Sequence, residues 1–531
     1  MSVGRAQADE RVRAAEVVGA LCLGTDLGMG LPLEHGLRST LIAMRLADRL
    51  GIDGQTASAT YYACMLMYSG CTTDAEVLSE TFGGSLTEHL APVVMGRQRQ
   101  LLAGIVRALP DPASPARVQA LQVVRRLPRA ARVNTPHLAA ICDVATMLAT
   151  QLGLPASVQS LFVDLTERWD GNSPLRRARG EEIPLPLRIT HVARDAAIQD
   201  MLGGPEHAAA VIRERGGRAL DPQIAVLLAD DAADMLTFTA DASAWEETLA
   251  GEPHPHVVLE GPAIDRALAA MGGFADLVSP YLAGHSAAVA DLAAAATRCC
   301  RLDAASEITM RRAALVHDLG RVAVHPRIWQ KAGPLTADEW EQVRLHPYHT
   351  ERVLSRSPFL SALAPLAGAH HERLDGSGYH RGAGAAELPL PARLLATADA
   401  YHAMTEPRPQ RDALSTKEAA DELARQTHAG RLDSDAVSAV LEAAGQRVPR
   451  LGRPAGLTER EAEVVAMLAR GLQTKQIARA LGISTKTADR HIQNAYRKIG
   501  VSTRAAATLF AMEHGLIAWG ELPMAGRTTR S

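Results

Sequence analysis

The stretch Ala313-Ala314-Leu315-Val316-His317-Asp318-Leu319-Gly320-Arg321 decides how this chain is read. Its apolar half describes a buried helix, and the His-Asp pair at the end delivers an imidazole and a carboxylate to one point. Aspartate can bridge two cations while histidine binds one, an arrangement that holds metals about 3.5–4 Å apart and acidifies a bridging water. Further donors lie on either side in order: His285 before the stretch, then His346, His370-His371 and Asp399 after it. Helix-sized intervals separate them, so several helices can carry their side chains to one cluster. The pattern points to phosphoester hydrolysis on two divalent ions.

Composition fits a helical host for such a cluster. The chain has 531 residues, enough for three to four domains at about 150 residues each. Aromatics are only 4% of residues and alternating runs of Val, Ile and Thr are scarce, so propensity predicts an all-α fold. Met1 to Glu16 lacks an apolar segment, and no run reaches the roughly 18 apolar residues of a membrane helix. Cytoplasmic residence without a membrane partner is therefore expected. The six cysteines show no CxxC spacing, as expected in a reducing compartment. The vicinal Cys299-Cys300 reads either as a redox pair or as part of a packed helix face.

The chain also repeats itself. Glu167-Arg168-Trp169-Asp170-Gly171, with Glu182-Ile183-Pro184-Leu185-Pro186 and Arg188, recurs 205 residues later as Glu372-Arg373-Leu374-Asp375-Gly376, Glu387-Leu388-Pro389-Leu390-Pro391 and Arg393. Upstream, Asp26-Leu27, His35-Gly36 and Gly70 align with Asp276-Leu277, His285-Ser286 and Gly320 at an offset of 250. The change of offset gives the first copy about 45 extra residues, for which Pro110 to Pro136 is the natural place. Met67-Tyr68 stands where the second copy has His317-Asp318, Leu165-Thr166 where it has His370-His371, and Arg194 where it has Asp399; of the donors only His35 remains. Such side chains do not replace imidazole and carboxylate at a metal. Residues 13–236 are thus expected to be a degenerate copy suited to dimerisation or sensing, with Arg194 filling the vacated space against a carboxylate.

The series His285, His317-Asp318-Leu319-Gly320, Lys331-Ala332-Gly333-Pro334-Leu335-Thr336, His346-Pro347, His370-His371-Glu372, Asp375-Gly376-Ser377-Gly378-Tyr379 and Asp399 resembles the HD-GYP family of metal-dependent phosphohydrolases. The resemblance covers residues 262–445. It implies that His285, His317, Asp318, His346, His370, His371 and Asp399 hold two divalent ions, Fe or Mn, and that the substrate is a cyclic dinucleotide such as cyclic di-GMP. Catalytic roles fall to Asp318 and Arg321. Substrate contacts fall to Arg321, Lys331, Asp375, Gly376, Gly378 and Tyr379.

Three positions depart from the family pattern. Gly378-Tyr379-His380 replaces Gly-Tyr-Pro and removes the proline's fixed φ from the loop. Arg321 replaces a lysine, and Tyr281 stands where three-metal members have Glu. The departures leave two alternatives open: a metal and nucleotide sensor with weak turnover, or hydrolysis of a different nucleotide or phosphoester. His349, His380 and His402 match no ligand position and are read as surface or supporting residues.

Charge changes near the end of the chain. Residues 451–531 hold 12 Lys/Arg against 6 Asp/Glu, a charge of +6 that leaves −9 on the remainder. Thr458-Glu459-Arg460-Glu461 is a capping box that starts a helix ending at Gly471. A second helix covers Thr474 to Ala480, Leu481-Gly482-Ile483 turns, and Ser484 caps a third. On that third helix Ala488, Ile492, Ala495 and Ile499 make an apolar stripe opposite Lys486, Arg490, Asn494 and Arg497. Arg and Asn can read base edges and Lys can hold phosphate.

Residues 457–515 closely resemble the LuxR/FixJ-type helix-turn-helix, through Leu457-Thr458, Arg460-Glu461, Gly471-Leu472, Thr474-Lys475, Ile477-Ala478, Ile483-Ser484, Lys486-Thr487 and Lys498-Ile499-Gly500-Val501. The resemblance implies DNA as a partner, a homodimer on paired half-sites, groove contacts from Lys486, Thr487, Arg490 and Asn494, and phosphate contacts from Lys475 and Lys498. The expected segments are 13–236, 262–445 and 457–519, joined by linkers at 241–260 and 446–456.

Overall fold

The computed structural model describes residues 10–70, 81–84, 86–238, 243–447 and 454–517. Among them the chain is helical apart from one short pair of strands. The elements used below are β1 (Arg11–Arg13), α1 (Ala14–Met29), α2 (His35–Leu50), α3 (Gly54–Leu66), α4 (Ala116–Gln151), α5 (Leu185–Arg215), α6 (Ala244–Ala250), β2 (Val258–Glu260), α7 (Pro262–Asp276), α8 (His285–Cys299), α9 (Ala304–Val316), α10 (His346–Leu354), α11 (Leu390–Thr405) and α12 (Ser434–Ala443). The basic module follows with α13 (Glu459–Ala469), α14 (Thr474–Ala480), α15 (Thr485–Ile499) and α16 (Arg504–Glu513).

The repeat is visible helix by helix. The helices α3 and α9 both have 13 residues, each capped by an aspartate (Asp53, Asp303), and they end one residue before Met67 and His317 respectively. The ends of α5 and α11 match too, since Arg188 pairs with Asp221 and Arg393 with Asp433, both at 2.9 Å. Helix α4 runs through the insertion with Pro128 and Pro136 inside it.

Contacts divide the chain into two compact units, residues 1–284 with 319–362, and residues 285–318 with 363–531. This division cuts through the expected segment 262–445. Its cause is packing within the first unit, where α7 lies on α1 and α4 and the turn 319–323 lies on both α1 and α7. Polar contacts add to this, with Ser357 Oγ donating to Glu16 at 2.6 Å and Arg356 pairing with Glu34 at 3.3 Å. In the same unit Ile42, Leu46, Ile189, Val192 and Ala196 bury the α2–α5 interface.

The stretch 241–260 is more than a linker. Ser243 caps α6, whose Trp245 is buried so closely on α1 that a Cβ at Gly19 would lie 2.9 Å from its ring. Strand β2 pairs antiparallel with β1, with Val12 opposite Leu259. The two strands precede equivalent helices of the two repeats.

In the second unit α8 packs on α9, α11 and α12. The module's buried stripe is as expected at Ala488, Ile492 and Ala495, with Ile499 half-buried. Of the cysteines, Cys22, Cys64 and Cys142 are buried and Cys299 and Cys300 are partly exposed; Cys71 lies outside the described residues. Among the described residues no helix is long and apolar enough to cross a membrane.

Candidate metal centre

Four side chains of the second unit converge in its interior: His285, His317, Asp318 and Asp399, all buried, with one donor atom from each within 4.8 Å of the others. Three elements supply them. His285 opens α8, His317-Asp318 follows α9, and Asp399 lies in the middle of α11. Long runs of Ala on α8 and α9 let these helices approach closely, as the burial of Ala290, Ala293, Ala313 and Ala314 shows.

Asp318 faces imidazoles with both oxygens. Oδ2 lies 2.9 Å from His317 Nε2 and 3.4 Å from His285 Nε2, while Oδ1 lies 3.3 Å from His370 Nε2. Asp399 Oδ1 lies 3.1 Å from His285 Nε2, and Oδ2 lies 3.7 Å from His371 Nδ1. A two-sided carboxylate of this kind is the shape a bridging ligand requires.

The imidazoles are oriented by one recurring device. His317 Nδ1 contacts Ala314 O at 2.6 Å and His370 Nδ1 contacts Ala367 O at 2.7 Å, in each case a carbonyl three residues back. With Nδ1 donating to a carbonyl, Nε2 keeps its lone pair for a cation. In the first unit buried His346 repeats the device, its Nδ1 lying 2.6 Å from Val343 O.

His285 is held differently, through residues the sequence reading missed or left aside. Its Nδ1 lies 2.9 Å from Glu406 Oε2 and 3.3 Å from His402 Nδ1, and Glu406 is in turn paired with Arg408 at 2.8 Å. Burial would raise the Glu406 carboxyl, but hydrogen bonds from His285 and His402 bring it down to about 2. Glu406 sits one residue past α11, and nothing in its local sequence marks it; only the return of the chain toward His285 does. Glu406→Gln is expected to weaken divalent-ion affinity about 10–100-fold with little effect on folding, as measured by titration of Mn or Fe. An unchanged affinity would remove Glu406 from any role in orienting His285.

The centre's electrostatics suit a cation. Burial would depress His317, yet Asp318 and Asp399 lift it to about 9. Burial would likewise raise Asp399, yet hydrogen bonds from His285 and His317 hold it well below the carboxylate range. Cation binding needs neutral imidazole, so a proton on His317 must leave as a metal enters. Apparent metal affinity is therefore expected to rise with pH up to about 9, by roughly tenfold per pH unit for each proton displaced. Calorimetry in buffers of different ionisation enthalpy counts those protons, and a pH-independent affinity would contradict the assignment. A buried set of imidazole and carboxylate donors without thiolate fits divalent ions of borderline to hard character.

The expected substrate loop is well defined without its proline. Buried Glu372 accepts from Arg381 N and Ala383 N, both at 2.8 Å, closing the loop from within. A Cβ at Gly378 would lie 2.5 Å from Arg373 N, so only glycine fits there. The Tyr379 ring lies 4.7 Å from that of His371. Asp375 is used by its own turn, accepting from Ser377 N at 3.0 Å and Ser377 Oγ at 2.6 Å. In the first unit Lys331 pairs with Glu339 at 2.5 Å, which counts against the substrate contact expected of it. Arg321 is buried, with its guanidinium carbon 5.5 Å from the Trp329 ring centroid.

In the first copy two of the corresponding positions also meet. The Arg194 guanidinium stacks 4.4 Å over the Tyr68 ring, joining the residues that replace Asp399 and Asp318. The Arg194 guanidinium thus meets an aromatic face. His191 Nε2 bonds the carbonyl of Leu165, the residue at the His370 position.

On the module, Lys475, Lys486, Thr487, Arg490 and Arg497 are exposed and Asn494 is half-buried, accepting from Arg497 at 3.2 Å. Lys498 departs from expectation. Its ammonium donates to Glu461 at 2.6 Å and to Gly456 O at 3.0 Å, tying α15 to the start of α13, so a phosphate contact does not fit it.

Two segments of the chain match known families. Residues 272–436 match the family described as HD domain, and residues 455–511 match bacterial regulatory proteins of the luxR family. The chain is 28% identical over 406 residues to 3'3'-cGAMP-specific phosphodiesterase 3 of Vibrio cholerae, covering 75% of this chain and 88% of that one. The crystal structure of a cyclic GMP-AMP-specific phosphodiesterase of V. cholerae superposes with a TM-score of 0.55 at 25% identity, over 82% of this chain and 98% of that one. A cyclic di-GMP phosphodiesterase of Thermotoga maritima is 41% identical over 113 residues, which are 21% of this chain and only 31% of the relative. Residues 272–436 thus carry an HD domain with a luxR-family DNA-binding domain behind it, in a chain similar to cyclic-dinucleotide phosphodiesterases of the HD-GYP type.

Proposed function

We propose that this chain is a DNA-binding regulator whose HD domain hydrolyses a 3',3'-linked cyclic dinucleotide, with 3'3'-cGAMP as the favoured substrate. The observation that carries the reading is the buried set of His285, His317, Asp318 and Asp399, with Asp318 presenting one oxygen to each side. The choice of nucleotide rests on the relative that matches along 75% of the chain, which is cGAMP-specific, whereas the T. maritima cyclic di-GMP enzyme matches over 21%.

In this reading His285, His317, Asp318, His370, His371 and Asp399 hold two divalent ions, and His346 is added to them on sequence order. When bound, such ions polarise phosphoryl oxygens and supply an acidified water as nucleophile. The protein's own contribution is orientation. The backbone carbonyls behind His317 and His370, and Glu406 behind His285, fix each ring before substrate arrives. Arg321 serves as a phosphate clamp. Lys486, Thr487, Arg490 and Asn494 face the DNA groove, Lys475 holds phosphate, and the protein acts as a homodimer on paired half-sites.

The test is anaerobic purification of the full chain with Mn or Fe, followed by incubation with 3'3'-cGAMP and with cyclic di-GMP and chromatography of the linear products. Faster cleavage of 3'3'-cGAMP is expected. Faster cleavage of cyclic di-GMP would overturn the choice of nucleotide. Tight binding without turnover by metal-loaded protein would make the domain a sensor.

A further inference from the structure

The degenerate repeat contains a cavity of about 170 Å³ around its one remaining donor, His35, between the start of α2, the end of the straight part of α5 and Phe238. His35 is 5% exposed, and its Nε2 finds no hydrogen-bond partner.

Two opposite charges line the same cavity. Arg38 is exposed at the mouth, and Asp200 is half-buried on α5. They form no ion pair with one another among the described residues, although Arg38 counteracts the rise that burial imposes on the Asp200 carboxyl. Arg38 instead approaches the Phe238 ring, at 5.9 Å from its centroid. Between the charges the lining is apolar, from Ile42, Ala197, Met201 and Phe238. A cation and an anion that face one small apolar chamber without pairing with each other among the described residues are complementary to a molecule carrying both charges and a short hydrocarbon body.

We propose that this cavity binds a small zwitterion with an apolar side chain, of the size of a branched-chain amino acid, its carboxylate at Arg38 and its ammonium at Asp200. The size follows from volume, since a cavity of about 150 Å³ admits a benzene-sized ligand. The inference is independent of the metal centre, because every residue in it belongs to the first unit.

The full chain would be titrated calorimetrically with L-valine, L-leucine, L-methionine and L-phenylalanine. Two singly charged analogues of leucine, isoamylamine and 4-methylvalerate, serve as controls. At least one amino acid is expected to bind, with both analogues at least tenfold weaker. Arg38→Gln and Asp200→Asn, which alter side chains outside the core, are each expected to weaken the amino acid at least tenfold without shifting the melting temperature. Failure of all four amino acids to bind up to about 10 mM, a limit near −3 kcal/mol, would overturn the proposal. So would analogues that bind as well as the parent, or variants that leave affinity unchanged.

Discussion

Asp318→Asn is expected to lower kcat/KM for the cyclic dinucleotide by about 10³-fold or more and to reduce the divalent ions retained per chain. The geometry sets the size of the effect. Asp318 meets His285, His317 and His370, and its two oxygens divide them into two groups. Asparagine keeps the shape but replaces one oxygen with an amide nitrogen that offers no lone pair to a cation, so position 318 would lose one of its two ligand atoms with little change in packing. Stabilisation of phosphoryl charge by paired metals amounts to several kcal/mol, and about 1.4 kcal/mol is tenfold in rate. Metal analysis separates two readings of a loss. A variant that keeps both ions yet is inactive would assign Asp318 to the chemistry rather than to ion binding. A variant within tenfold of the parent in both rate and metal content would rule out the bridging role.

The residues that make this centre were largely legible in the sequence, because the ligand set is constrained by identity and order. Histidine next to aspartate at the end of an apolar helix has few other uses, and Met67-Tyr68 at the equivalent place in the first copy lacks both donors. What supports the centre was not legible. Glu406 and Glu372 are ordinary acidic residues in ordinary contexts, and their roles arise from where the chain returns in space. Lys331 and Lys498 show the converse. Both stand at positions where a free cation would suit phosphate, yet each is paired to a glutamate, Glu339 or Glu461, that also forms part of a helix capping box. A one-dimensional reading places a charge but does not reveal what already neutralises it. The domain borders were blurred for a related reason. The repeat defines segments by ancestry, whereas α7 and the turn 319–323 pack on α1 of the other copy, so contacts divide the chain elsewhere.

Arg490→Ala is expected to weaken binding to the specific DNA site by about 1–3 kcal/mol, roughly 5- to 150-fold, while leaving hydrolysis unchanged. The argument rests on what surrounds Arg490. Helix α15 is capped by Ser484 and ends at Gly500 in the left-handed region, so its 15 residues form one rigid element. Ala488, Ile492 and Ala495 fix its rotation by burial, which leaves Arg490 exposed on the far side beside Lys486 and Thr487. Arg497 and Lys498 are engaged with Asn494 and Glu461, so Arg490 is the guanidinium on this helix best placed to grip a base edge bidentately. Comparing specific with scrambled DNA across salt concentration decides its role. Loss confined to the specific site identifies base reading, whereas an equal loss on both, with the salt slope reduced by about one, identifies a phosphate contact. No loss on either would place the recognition surface elsewhere on the module. Because α13 and α15 are clamped together by Lys498 and Glu461, Lys498→Ala should weaken both DNAs together through the module's fold rather than through lost contact.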